Sequence, residues 1–264
     1  MAYTIAVAGK GGTGKTTLAA LVIRYLAREM GRPVLAVDAD PNATLGLMLG
    51  VEPGGTIADI RDDVVERRVE MPAGASRDRH IEYCIHQSIT EAAGFDLLTM
   101  GRPEGPKCYC YVNSLLRKYL DQASADYAFV VIDNEAGMEH LSRRTTNNVD
   151  LLFVVAEPTV VGVQSAVRIL DLASKLPVAI GKKAVVLNRV PCSRVHPSVL
   201  GRLADAGFSP DAFIISDPAI EALSIAGEGL LGVDDANAAY RAISAFVAAH
   251  LAAAPNMENA YAGS

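Results

Sequence analysis

Apolar residues fall along this chain in short unbroken runs separated by longer amphipathic stretches. Ile5-Ala6-Val7-Ala8, residues 34–37 and Phe129-Val130-Val131-Ile132 are such runs, and so are 95–100, 151–156, 184–188 and 213–215. Continuous apolar runs of this length suit strands buried on both faces of a sheet. Between the runs, apolar positions recur at three- and four-residue spacing. Leu18, Leu21, Val22, Tyr25 and Leu26 make one stripe, and Gly31 with Pro33 closes it. Helices are predicted likewise near 112–122, 137–147, 163–175, 197–206, 217–226 and 235–253. Strands alternating with helices give an α/β fold, a mainly parallel sheet covered by helices on both faces. Residues 52–94 are charged and broken by Pro53, Gly54, Gly55, Pro72 and Gly74, and read as irregular surface excursions. One domain spanning 1–254 is expected, with 255–264 as a flexible tail.

The first strand and helix enclose the octapeptide Gly9-Lys10-Gly11-Gly12-Thr13-Gly14-Lys15-Thr16. It matches the phosphate-binding loop G-x-x-x-x-G-K-[ST] in full. Strand, glycine loop and helix N-terminus gather backbone N–H groups around one anion. Residues from Gly9 to Thr17 are therefore the candidate cradle of a nucleoside triphosphate. Lys15 would reach the β/γ-phosphates and Thr16 would hold Mg²⁺. Gly9, Gly11 and Gly14 also spell the dinucleotide fingerprint G-x-G-x-x-G, with Asp38 near the distance of a ribose-binding acid. Lys15-Thr16 decides for the triphosphate, because a dinucleotide site has no need of that pair. Asp133 agrees: it closes an apolar strand in the Walker B manner and steadies Mg²⁺ directly or through water.

Charge and composition narrow the partners. The 264-residue chain is 50% apolar and carries a formal charge of −6, which argues against general affinity for nucleic acid. No apolar run reaches bilayer length, no secretory leader precedes the first strand, and the Ala-rich stretch 235–253 has only Arg241 as a strong base. Neither nucleic acid nor membrane is an expected partner. Four cysteines make no disulfide scaffold, and a cytoplasmic setting is expected. Cys84 and Cys192 stand alone as packing residues, and the five histidines show no metal-binding spacing.

Lys10, directly after the first glycine, gives the deviant form K-G-G-x-G-K-[ST]. With it the chain resembles the family of MinD, the ParA partition ATPases and the nitrogenase iron protein. There the extra lysine crosses a two-fold interface to the partner's phosphates, which implies an ATPase that dimerises around ATP. By the same resemblance Asp38-Ala39-Asp40-Pro41 matches switch I, with Asp40 the stronger candidate to position the attacking water or a magnesium water. Asp133-Asn134-Glu135-Ala136-Gly137 matches switch II, except that Glu135 stands where the family has proline. Asn188-Arg189 matches the pair that contacts adenine, and Asp217 falls at a second base-side acid, although Ile215 replaces the usual proline before it. Lys10, Lys15, Asp40 and Asp133 are thus the catalytic candidates.

Two further stretches, Lys107-Cys108-Tyr109-Cys110-Tyr111-Val112-Asn113 and the run from Asn134 to Arg144, resemble the CooC-type ATPases. Those insert nickel into carbon monoxide dehydrogenase, and the related factor for acetyl-CoA synthase is the second possibility. The resemblance implies a homodimer whose Cys108 and Cys110 pairs meet and hold Ni²⁺ or Zn²⁺, with apo carbon monoxide dehydrogenase as client. Chemically, residues i and i+2 of an extended chain share a side, so two thiolates can act together, and a two-fold axis makes four. By spacing alone, a pair of ordinary thiols stays open. A partition or septum-site ATPase is disfavoured by the acidic charge. An iron–sulfur reductase is disfavoured because Met138-Glu139-His140 carries no second cluster cysteine.

Overall fold

The computed structural model describes residues 2–65, 77–102, 120, 126–136, 148–191 and 194–253. The described strands are β1 (Tyr3–Gly9), β2 (Val34–Ala39), β3 (Thr90–Ala92), β4 (Phe95–Thr99), β5 (Phe129–Asn134), β6 (Asn148–Ala156), β7 (Ala179–Val190) and β8 (Ala212–Ile215). They form one sheet in the order β3-β4-β2-β5-β1-β6-β7-β8, parallel throughout except for the antiparallel edge strand β3. The described helices are α1 (Lys15–Arg28), α2 (Leu45–Leu49), α3 (Ile57–Val65), α4 (Arg77–Ser88), α5 (Val160–Ala173), α6 (Pro197–Asp205), α7 (Pro218–Ala226) and α8 (Ala238–Ala252). The expected α/β architecture is the one observed.

Alternation along each central strand feeds two cores. In β1, Ile5 and Val7 join one apolar cluster with α1, α2 and α8, whereas Ala6 and Ala8 join the other with α3, α4, α5 and α6. Side chains on successive strand residues point to opposite faces, so a strand covered on both sides must be apolar throughout. Small Ala6 and Ala8 let α5 approach closely on their side. The far end of α1 is fastened by Arg24, which is buried. Its guanidinium donates to the carbonyls of Leu231 (3.2 Å) and Val233 (2.6 Å) and to Asp235 (2.5 Å), and lies 3.8 Å from the Tyr240 ring centroid. Cation–π contact and charge-assisted bonds together offset the cost of burying that charge.

The observed elements depart from expectation in particular places. Of segment 52–94, read as irregular surface excursions, the described residues 52–65 and 77–94 hold α3, α4 and β3, and Ile57, Ile60, Ile81 and Ile85 join the apolar core. Strands β6 and β7 are longer than their apolar cores, and β7 runs on through Asn188 and Arg189. Helix α5 begins at Val160 because Thr159 caps it, its hydroxyl accepting from Gly162 N at 3.0 Å. Helix α8 starts at Ala238, where Asn237 caps Tyr240 N. The predicted helices 112–122 and 137–147 and the tail 255–264 lie outside the described residues, apart from the buried, helical Leu120. Among the described residues no helix is long and apolar enough to cross a membrane.

Position in the sheet sets what a substitution costs. Phe153 is fully buried in β6, whereas Phe213 on the edge strand β8 is 45% exposed. Phe153→Ala is expected to lower unfolding free energy by about 3–5 kcal/mol. Phe213→Ala is expected to lower it by less than about 1 kcal/mol. Urea titration of the two variants checks the difference.

Candidate functional site

The loop between β1 and α1 is shaped by close approaches that only glycine permits. Gly9 pairs with Val155 of β6, and a Cβ there would lie 2.4 Å from the Val155 carbonyl oxygen. Gly14, at φ 88°, is the N-cap of α1, and a Cβ there would lie 2.4 Å from Asn188 Nδ2. Within the loop the Thr13 hydroxyl donates to the Lys10 carbonyl at 2.9 Å. The first turn of α1 carries no acid and Gly14 supplies no side-chain cap, which leaves its N–H groups available to an anion. Lys15 is buried at the head of the helix, and Lys10 is exposed.

Three acids stand at the carboxyl ends of β2 and β5. Asp38 and Asp133 are opposite one another in the strand pairing, and both are fully buried. Asp38 accepts from Leu45 N (2.8 Å) and Asp40 N (3.3 Å), so it pins both ends of the loop leading to α2. Burial pushes its pKa up to about 6, against the opposing pull of those two backbone bonds. Asp40 is half-buried and its Oδ1 accepts from Asn42 N and Asn42 Nδ2, both at 2.9 Å. Asp133 is pushed up to about 7, chiefly by burial and further by Asp38, while the Thr16 hydroxyl and the Lys15 charge pull it down. Apart from that Thr16 hydroxyl, neither Asp133 oxygen has a hydrogen-bond partner among the described residues. An orphaned buried carboxylate beside a hydroxyl is a donor set that fits Mg²⁺. Mg²⁺ takes one or two protein ligands and completes its shell from phosphate and water.

Two cavities flank the loop. One, of about 650 Å³, is lined by Gly11, Lys15, Thr16, Asp40, Glu135 and Arg189 among others. The second, of about 390 Å³, lies on the other side of Gly14 and is lined by Asn188, Ile214, Asp217, Ile220 and Ile243 among others. Its mixture of apolar walls and a few polar groups suits a planar base. At the junction a register shift in β7 aims two side chains at the loop. Asn188 Nδ2 donates to Thr13 O and Arg189 Nη1 to Gly12 O, each at 2.8 Å. Arg189 adopts the left-handed φ of 55° to do so, and Glu157 lies 3.7 Å from its guanidinium.

A model of the CobQ/CobB/MinD/ParA nucleotide binding domain matches residues 4–212. The chain belongs to that family. An uncharacterized ATP-binding protein of Methanocaldococcus jannaschii is 46% identical over 70% of this chain and 74% of its own length. The carbon monoxide dehydrogenase accessory protein CooC of Rhodospirillum rubrum is 35% identical over 65% of this chain and 69% of its own. In fold, MinD of Pyrococcus furiosus superposes with a TM-score of 0.67, covering 96% of this chain and 99% of that one at 24% identity. MinD within the MinC:MinD complex of Aquifex aeolicus gives a TM-score of 0.69 over 96% and 97% at 21% identity.

Set in this family, most of the expected residues converge on one sheet edge. Gly11, Gly12, Gly14, Lys15, Thr16, Thr17 and Asp40 line the larger cavity, Asn188, Arg189 and Asp217 line the smaller one, and Asp133 ends the neighbouring strand β5, opposite Asp38. Asn188 and Arg189 hold the loop itself, which was not foreseen. Asp217 caps α7 through one oxygen, accepting from Ala219 N and Ile220 N. Cys108 and Cys110 lie outside the described residues. Cys84 packs on the core with His80 Nε2 3.5 Å from its sulfur. Sequence reasoning missed Glu157 and the role of Asn134, whose Nδ2 donates to Val7 O at 3.1 Å. Their positions at the carboxyl ends of β5 and β6 were the available signal.

The raised Asp133 pKa carries a stability consequence. A carboxyl group held near 7 in the folded protein and at 3.8 when unfolded binds its proton more tightly when folded. Its burial therefore destabilises the protein progressively as pH rises from about 4 to about 7. Asp133→Asn removes that penalty. Its thermal midpoint should rise above that of the nucleotide-free wild type across this interval, the gap levelling off above it, as calorimetry at a series of pH values would record.

Proposed function

We propose that this protein is a Mg²⁺-dependent ATPase that works as a nickel metallochaperone for apo carbon monoxide dehydrogenase. The observation that carries the reading is the pairing of a two-lysine phosphate loop, Lys10 and Lys15, with the Cys108-x-Cys110 motif in one chain. The likeness to CooC supports the client. In this reading Lys15 holds the β/γ-phosphates, and Thr16 and Asp133 hold Mg²⁺, which neutralises phosphate charge. Asp40 orients the attacking water, and Asn188, Arg189 and Asp217 border the adenine. Lys10, exposed on the loop, reaches the phosphates of a second protomer, so that ATP joins a homodimer. Residues 1–254 act as the ATPase unit. Cys108 and Cys110 of two protomers hold the nickel or zinc ion as cargo. Strand β4 ends at Thr99 on the nucleotide edge, which supports placing the cysteine segment on that side.

Lys15→Ala is expected to abolish nucleotide binding or turnover, because no other buried cation in the loop replaces it. Asp40→Ala keeps binding and slows hydrolysis. Lys10→Ala binds nucleotide as a monomer but loses the ATP-driven dimer. Isothermal titration, phosphate release and sedimentation of the three variants check these outcomes. Asp40→Ala turning over at the wild-type rate removes Asp40 from the mechanism.

Metal binding is tested separately. Titration of the dimer with Ni²⁺ or Zn²⁺ should saturate at one ion per two chains, and Cys108→Ser or Cys110→Ser should abolish tight binding. If ATP and metal both favour the dimer, each strengthens the other's binding, and linkage makes the factor the same in both directions. One ion per monomer, or binding indifferent to the cysteines, defeats the shared site.

A further inference from the structure

Resting on the ATPase reading, we propose that the protein sets its phosphate loop without help from the base, so that a bare inorganic triphosphate chain serves the site as ATP does. Four loop carbonyls are already engaged. Lys10 O accepts from the Thr13 hydroxyl at 2.9 Å and Gly14 O from Leu18 N at 3.0 Å. Gly12 O accepts from Arg189 Nη1 and Thr13 O from Asn188 Nδ2, each at 2.8 Å. In a trans peptide the C=O and N–H point to opposite sides. Each carbonyl that is held therefore turns the N–H of the following residue the other way. The Thr13 N–H is turned back onto Lys10 O at 3.4 Å. Among the described residues nothing accepts from the N–H groups of Gly11, Gly14 or Lys15, which are left to an anion.

This order is kept at a backbone cost. Arg189 holds φ 55°, a conformation that suits glycine better than a residue with a Cβ, at the register shift of β7. Strain of this kind persists where the surroundings impose it. Here the imposed result is a guanidinium aimed at Gly12 O, with Glu157 3.7 Å from it as counter-charge, and beside it a buried Asn188 aimed at Thr13 O. Binding energy from the remote part of a substrate is ordinarily spent on ordering the reacting part, so a truncated substrate loses kcat. Where the order is already present the remote part adds binding only, and truncation raises KM alone. On the bare chain the water oxygen bonds to the terminal phosphorus as the bond to the bridging oxygen breaks. Pyrophosphate and phosphate leave, the proton goes to solvent, and no further reactant is needed.

Phosphate release from Mg-ATP and from Mg-tripolyphosphate tests this. On the wild type the two kcat values should agree within about threefold, with KM higher for tripolyphosphate, which lacks the base contacts. Arg189→Gly fits the left-handed backbone, and the strain it relieves offsets the bond it loses, so it should melt close to the wild type. It leaves Gly12 O unheld. Its kcat on tripolyphosphate should fall about fivefold, the worth of one hydrogen bond, and by less on ATP, whose base still helps to order the loop. A wild-type kcat on tripolyphosphate below that range, or an equal fall on both substrates in Arg189→Gly, overturns the proposal. If the wild type hydrolyses neither compound, the ATPase reading fails by itself. Displacement of a bound ATP analogue by tripolyphosphate, weaker in Arg189→Gly, then supports the preset loop, and absence of displacement overturns it.

Discussion

Two carboxylates and an ammonium group, Asp38, Asp133 and Lys15, are buried together at one edge of an otherwise apolar sheet. Charges removed from water cost several kcal/mol unless they are paired or hydrogen-bonded, and much of the surrounding structure compensates these three. Asp38 is satisfied by two backbone N–H groups, and in accepting them it folds the loop that presents Asp40. Asp133 has only the Thr16 hydroxyl and the Lys15 charge to set against its burial, and burial outweighs them, so its charge is held back until a further cation offsets the cost. The nucleotide edge is thus electrostatically incomplete by construction.

The apolar sheet beneath makes this incompleteness tolerable. Strands β5, β1 and β6 are covered by helices on both faces, and close packing on each side resists local rearrangement around the acids. Helix α1 links the two ends of the molecule. Its N-terminus faces the phosphate cavity, and Arg24 near its other end is locked to the carbonyls that precede α8. A displacement of the loop along the helix axis would have to break those bonds.

The parts legible in the sequence were those in which a local pattern has one physical meaning. Ile5-Ala6-Val7-Ala8 could only be a strand buried on both faces, and Gly14-Lys15-Thr16 only the head of a phosphate-binding helix. Helices α3 and α4 were not legible, because α4 sets Ile81, Cys84 and Ile85 against the core amid charged and polar residues, and prolines and glycines precede α3. Tertiary burial, not local propensity, makes them helical. Asn188 and Arg189 were found by resemblance to a base-binding pair. Their bonds to Thr13 and Gly12 depend on a register shift in β7 and a left-handed residue, neither of which leaves a mark in composition or periodicity. Glu157 meets Arg189 across more than thirty positions of sequence, a distance at which residue patterns carry no information about contact.

The clasp made by Asn188 and Arg189 has a consequence for timing. Side chains of the protein itself hold the loop carbonyls, so the ordering entropy of the loop is met during folding rather than at each encounter with nucleotide. Exchange is then governed by passage through an open cavity, not by the slower assembly of a binding loop. An anion arriving at such a site meets a loop already in its final shape.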